Sequence, residues 1–225
     1  MRRLICSVLC VLGLAGGARA AVLLDQPLLL PGDGRASYVG GSTNFVTYDS
    51  ITLAQTAEIN QVSWIGGFFD TGNSANNPPP FNATAWQFLV AEDAGGAPGA
   101  LLDSASIAFA DASASYLQQA TLAGQPIDLY LFTATLVDPL LIVGGATQWF
   151  SVVAQGPSTN PLFAWMSGSG GDSVSIQFGP GNPLNLTRDR ALRLEGSEVP
   201  EPPVLMLLTA ALLLGAWRFR AGRAT

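Results

Sequence analysis

Trp86-Gln87-Phe88-Leu89-Val90 sets Trp86, Phe88 and Val90 on one side of an extended backbone and Gln87 and Leu89 on the other. That two-residue period belongs to a pleated strand, whose successive side chains point to opposite faces. Leu129 to Val137 repeats it, with Tyr130, Phe132, Ala134 and Leu136 alternating against Leu129, Leu131, Thr133, Thr135 and Val137. The first face is the more apolar, and both can be partly covered. Working outward, the same grammar predicts strands over 37–48, 57–69, 104–109, 116–121, 147–154, 161–166, 173–178 and 191–194. Between them stand turn formers: Gly72-Asn73, Asn76-Asn77-Pro78-Pro79-Pro80, Asp93 to Gly99, Gly144-Gly145, Gly156-Pro157, Gly168 to Asp172 and Gly179 to Pro183. Many short strands without a long amphipathic helix predict an all-β domain, an antiparallel β-sandwich of jelly-roll form. Its core is expected on Trp64, Phe68, Trp86, Phe88, Phe132, Trp149, Phe150 and Trp165.

The 225 residues leave room for one such domain, expected over 21–197, with a different segment at each end. Arg2 and Arg3, an apolar run from Leu4 to Leu14, and Ala18-Arg19-Ala20 are the three parts of a secretory signal peptide over 1–20, with cleavage expected between Ala20 and Ala21. At the other end, 198–225, Val199-Pro200-Glu201-Pro202 precedes an apolar run over 203–217 and then Arg218, Arg220 and Arg223. As a helix that run is about 23 Å long at 1.5 Å per residue, short against about 30 Å of hydrocarbon. It is apolar on all sides apart from Thr209, which fits a transmembrane helix better than a buried helix of a globular domain. The arginines form a positive stop that stays cytoplasmic.

Composition removes whole classes of chemistry. Histidine and lysine are absent, and both cysteines, Cys6 and Cys10, fall in the leader. Cys10 follows Leu9, where a lipoprotein signal needs a small residue. The mature domain is therefore expected to hold no disulfide and no thiolate. No Ser-His-Asp triad, Cys-His pair or histidine zinc site can be assembled, and no P-loop or dinucleotide fingerprint is present. Between Ala21 and Ser197 four arginines face fourteen acids, a formal charge of −10. Such a surface repels phosphate backbones, so nucleic acid is not expected as a partner.

Three candidate sites survive. Glu58, Glu92 and Glu195 are the glutamates a carboxylate-dependent glycan hydrolase would have to use, although Glu92-Asp93 introduces a Gly-rich turn where acids ordinarily serve as solvated turn formers. Asp70-Thr71-Gly72-Asn73-Ser74-Ala75-Asn76-Asn77 offers calcium-type oxygens, but its spacing departs from the EF-hand loop and a plain solvated loop is the expectation, with no metal or other cofactor. Trp64, Trp86 and Trp165 could stack on sugars if exposed. Asn82-Ala83-Thr84 and Asn185-Leu186-Thr187 are glycosylation triplets that matter only in a cell that modifies them.

Two resemblances sharpen this reading. Val62 to Phe68, then Phe88 to Asp93 with Gly95 to Gly99, and then Pro139-Leu140 with Gly144 to Phe150 resemble the β-sandwich ectodomains of bacterial surface proteins that carry interchangeable C-terminal anchors. The three-part C-terminus resembles the PEP-CTERM sorting signal. That resemblance implies export by the general secretory machinery, transient holding in the inner membrane, and processing at Pro200-Glu201-Pro202 by an exosortase, a membrane-embedded cysteine transpeptidase. It also implies a Gram-negative cell that makes exopolysaccharide, with the mature protein at the cell surface or in the biofilm matrix. Prolines on both sides of Glu201 bar a helix and keep the backbone extended for such an enzyme. The expected function is thus a non-enzymatic exported surface or matrix protein, the alternatives being a carbohydrate-binding module that contacts polysaccharide and, third, the glycan hydrolase.

Overall fold

A computed structural model describes residues 20–41, 43–70, 75–76, 83–157 and 161–199. In chain order the strands are β1 (Ala21–Gln26), β2 (Gly34–Ala36), β3 (Tyr38–Gly40), β4 (Thr43–Thr52), β5 (Ala57–Asp70), β6 (Ala75–Asn76), β7 (Ala85–Asp93) and β8 (Pro98–Ala108). After a 3-10 turn at Phe109–Asp111 come β9 (Ser113–Leu122), β10 (Gln125–Ile142), β11 (Thr147–Gln155), β12 (Leu162–Met166), β13 (Ser175–Phe178), β14 (Leu184–Leu186) and β15 (Leu192–Glu198). They form two sheets, one ordered β1-β15-β5-β10-β9 with β12, β2 and β6 attached, the other β14-β13-β4-β3-β11-β7-β8. All pairings are antiparallel except β3 with β11. The expected sandwich is therefore present.

The chain changes sheet at several connections, among them β4 to β5 and β10 to β11. Because β5 pairs β10 while β4 pairs β11, the two arms run together as one folded-over hairpin. The apolar face of β10 packs inward as its alternation requires, with Tyr130, Phe132, Ala134 and Leu136 in the central core. Ile127 and Leu129 are buried on the other face, in a smaller cluster with Ala164 and Met166. A third cluster on the far side of the second sheet joins Trp149, Ala91 and Ile176. Every residue expected in the core is buried.

Some boundaries differ from the sequence reading. The stretch 37–48 is two strands, β3 and β4, separated at Gly40-Gly41, where Gly41 has φ +62° and only glycine sits there without strain. β10 extends through Pro126 and Pro139, residues that read as breakers. Pro139 falls in a three-residue offset between the pairs Thr135–Gln61 and Leu140–Ile59, where no ladder bond is required of it. β1, β2 and β14 carry too few residues or too little alternation to be read.

The free edges are interrupted. One residue is left unpaired at Leu23 on β1, Leu102 on β8 and Leu117 on β9, which breaks the edge that another chain could extend.

Candidate functional site

Glu198 ends the last strand opposite Ala57, the first residue of β5. One residue on, the Val199 N–H donates to Thr56 O at 2.8 Å. At the other terminus Ala20 precedes β1, and Ala21 opens it opposite Gly196 of β15. The ends of the folded domain therefore lie side by side at one end of the sandwich. The rest of the sorting motif, Pro200, Glu201 and Pro202, the apolar run 203–217, Arg218, Arg220 and Arg223, and the leader 1–19 lie outside the described residues. Among the described residues no helix is long and apolar enough to cross a membrane.

The three tryptophans are not a stacking platform. Trp64, Trp86 and Trp165 are each 0% exposed. Trp86 is ringed by Trp64 at 4.7 Å, Phe163 at 4.9 Å, Phe132 at 5.0 Å and Phe109 at 5.2 Å between centroids. Trp165 donates its Nε1–H to Ala191 O at 2.9 Å. Each points inward because the alternation of its strand sends it there, so the stacking expectation is corrected. Among the described residues the one exposed aromatic side chain is Tyr116, 58% exposed on edge strand β9.

The acids are spread over both sheets. Glu92 accepts from Ala100 N at 3.1 Å within the β7–β8 hairpin, and Glu195 accepts from Arg193 Nε at 2.7 Å on the face of the other sheet. Glu58 stands beside the β5 start, on a position paired with Ser197 and Leu141. Among the described residues no hydrogen bond or ion pair joins Glu92 to either of the other two. Of the expected calcium loop only the backbone of Asp70, Ala75 and Asn76 is described. Among the described residues no group of three or more acidic side chains is arranged to hold a metal ion. Asn185 is exposed on β14, whereas Asn82 lies outside the described residues.

Sequence reasoning missed a buried charge cluster. Arg190 is 0% exposed, with its Nη2 donating to Arg188 O at 3.1 Å and 3.6 Å from Asp33 Oδ1. Asp33 is held by Arg35 through Nε at 3.1 Å and Nη2 at 2.8 Å. Asp189 accepts from Gly171 N at 2.9 Å and Ser173 N at 2.6 Å, and Asp172 accepts from the Ser50 hydroxyl. Asp49, buried in the middle, has its carboxyl pushed well above the usual range by burial; the Arg190 main chain and guanidinium act the other way, and Asp189 and Asp172 push it further up. Burial likewise lowers the Arg190 guanidinium, against the pull of Asp33 and Asp49. Arg188-Asp189-Arg190 holds two of the four basic residues of the body, the one signal in the sequence that could have marked this place.

A shallow cleft of about 330 Å³ opens on the first sheet, lined by Asp25, Gln26, Ser63, Leu131, Arg193 and Glu195 among others. It holds one ion pair and no exposed aromatic ring. No family model matches the chain, and no curated protein sequence matches it.

Proposed function

We propose that the chain is an exported, non-enzymatic protein of the cell surface or extracellular matrix, carried across the inner membrane by the general secretory machinery. It is held there by 203–217 and released by an exosortase acting at Val199-Pro200-Glu201-Pro202, in a cell that makes exopolysaccharide. One observation carries this reading: the folded domain runs from Ala21 to Glu198, filling the interval between the two candidate sorting segments and bringing its ends together. The pairing of β4 with β11 and of β5 with β10 supports a jelly roll as the form of the sandwich. The scattered glutamates support a domain without turnover.

Mass spectrometry of the mature protein from its own host tests the sorting step. A C-terminus upstream of Trp217 is expected, and Glu201→Ala should leave the precursor in the membrane fraction. A mature protein that retains Trp217 and the arginine tail would sink the reading. Saturable binding of residues 21–197 on a glycan array would replace the structural role with a carbohydrate-binding one.

A further inference from the structure

The end of the sandwich from which both termini leave is built from three connections: residues 53–56 between β4 and β5, 94–97 between β7 and β8, and 143–146 between β10 and β11. Their common position follows from the pairs Ile142–Ala57, Thr147–Thr52 and Gln148–Glu92. None of these twelve residues is charged, in a body that carries fourteen acids. The acid adjoining these loops, Asp93, is exposed, and its carboxylate is engaged locally, accepting from Gly96 N at 3.0 Å and from Trp149 Nε1 at 2.9 Å. At the opposite end the connection from β8 to β9 carries Asp111, while Arg188, Asp189 and Arg190 sit partway along the sandwich beside Asp49. Beside the uncharged loops, large apolar side chains are left in solvent: Val143 and Leu141 each 45% exposed, Leu101 56% and Leu102 51%. The Asp103 carboxylate ties these two groups by accepting from Leu141 N at 2.9 Å.

Chain length decides what covers this end. Val199 is pinned to Thr56, and only Pro200, Glu201 and Pro202 separate it from the apolar run at 203. Three extended residues span at most about 11 Å. The polar zone on one side of a bilayer takes up roughly 5–8 Å of that. With 203–217 in the hydrocarbon, the domain has a few ångströms of slack and cannot stand off.

We propose that this end of the domain is a bilayer-contacting surface, with Val143, Leu141, Leu101 and Leu102 resting in the headgroup layer of a zwitterionic membrane while the chain is tethered. The inference rests on the membrane-held precursor described above. An anionic surface is disfavoured by the body charge of −10 and by Glu58 and Glu198, which are exposed close to the contact. The uncharged loops lower the cost for the acidic body of approaching lipid at this end.

The test uses the full-length chain with Cys6→Ser and Cys10→Ser, reconstituted in phosphatidylcholine vesicles. A single cysteine, Val143→Cys at the contact, Leu101→Cys beside it or Thr121→Cys on the exposed far part of β9, carries an environment-sensitive fluorophore. The first two are expected to shift to the blue and to be quenched by headgroup-labelled lipid several-fold more than the third. Protein that floats with the vesicles while all three positions report bulk water overturns the contact and leaves the tether standing. Protein that fails to float overturns the tether, and the contact falls with it.

Discussion

Two of the buried tryptophans differ in one chemical respect, and the difference separates packing from hydrogen bonding. Trp165 spends its indole N–H on Ala191 O, whereas Trp86 Nε1 is buried with no partner. Changing either to phenylalanine keeps one aromatic ring and removes roughly 40 Å³, which at about 24 cal/mol per Å³ costs on the order of 1 kcal/mol. At Trp165 the lost bond adds about 1 kcal/mol. Ala191 O keeps the weaker bond from Ile65 N at 3.3 Å, so the acceptor is not stranded and the penalty stays near that size. At Trp86 the same change deletes an unsatisfied donor whose burial costs about 1–3 kcal/mol, which offsets the cavity. Trp86→Phe should therefore be close to neutral and Trp165→Phe should lose about 2 kcal/mol, or roughly 4–8 °C in Tm for a domain of this size. Urea unfolding of residues 21–199, followed by far-UV circular dichroism, measures both with the wild-type slope as control. A Trp86→Phe loss equal to or larger than that of Trp165→Phe refutes the reasoning, because it would mean that ring packing alone sets the cost.

Asp49 gives a pH-dependent expectation. Its folded carboxyl lies above its unfolded range of about 3.9, so the native state binds more protons and its contribution to stability falls as pH rises from there toward the raised value. Asp49→Asn should remove that loss, so its advantage over wild type should be greater at pH 7 than at pH 4; an equal difference at both would rule out a neutral Asp49. Gly66→Ala should destabilise by about 1–3 kcal/mol, since the added methyl would sit 2.4 Å from both Ala164 O and Phe163 Cε2. Thermal unfolding showing no change would mean that β5 and β12 can separate to admit it. Arg190→Leu should cost about 1–3 kcal/mol by removing the buried cation that Asp33 and Asp49 face, and Asp49→Asn in the same chain should recover part of it. Strict additivity of the two changes would show that these groups do not interact.

How far the sequence foretold all this differs from element to element. Where burial alternates cleanly, as from Trp86 to Phe88 in β7 and from Tyr130 to Leu136 in β10, the two-residue period names both the strand and its inward side chains, and the core followed from it. β11 is buried on both faces from Gln148 to Ala154, so its alternation carries no direction; its length and flanking glycines identified it. β1 and β2 stayed hidden because their pairing partners, β15 and β12, lie far along the chain and nothing local announces them. The tryptophans show the limit for sites: periodicity marks them as strand residues, and only the opposite sheet decides whether a ring meets solvent or Phe132. Asp49 and Arg190 were illegible for a related reason, since a lone acid in a strand looks solvated until the loop 167–174 and the segment 188–190 close over it. Two of the three uncharged loops, 94–97 and 143–146, by contrast, were in plain view as turns; what their lack of charge meant emerged once pairing had gathered them at one end.

The position of β15 between β1 and β5 has a mechanical side. Its cross-strand hydrogen bonds lie across the strand, to β1 from Leu192 to Gly196 and to β5 from Leu192 to Glu198. A pull on the chain beyond Val199, directed away from the domain, acts along the strand and loads those bonds together instead of peeling them one by one. A domain held by this terminus, whether to lipid or to whatever replaces it, is gripped in shear, the direction in which a sheet yields last.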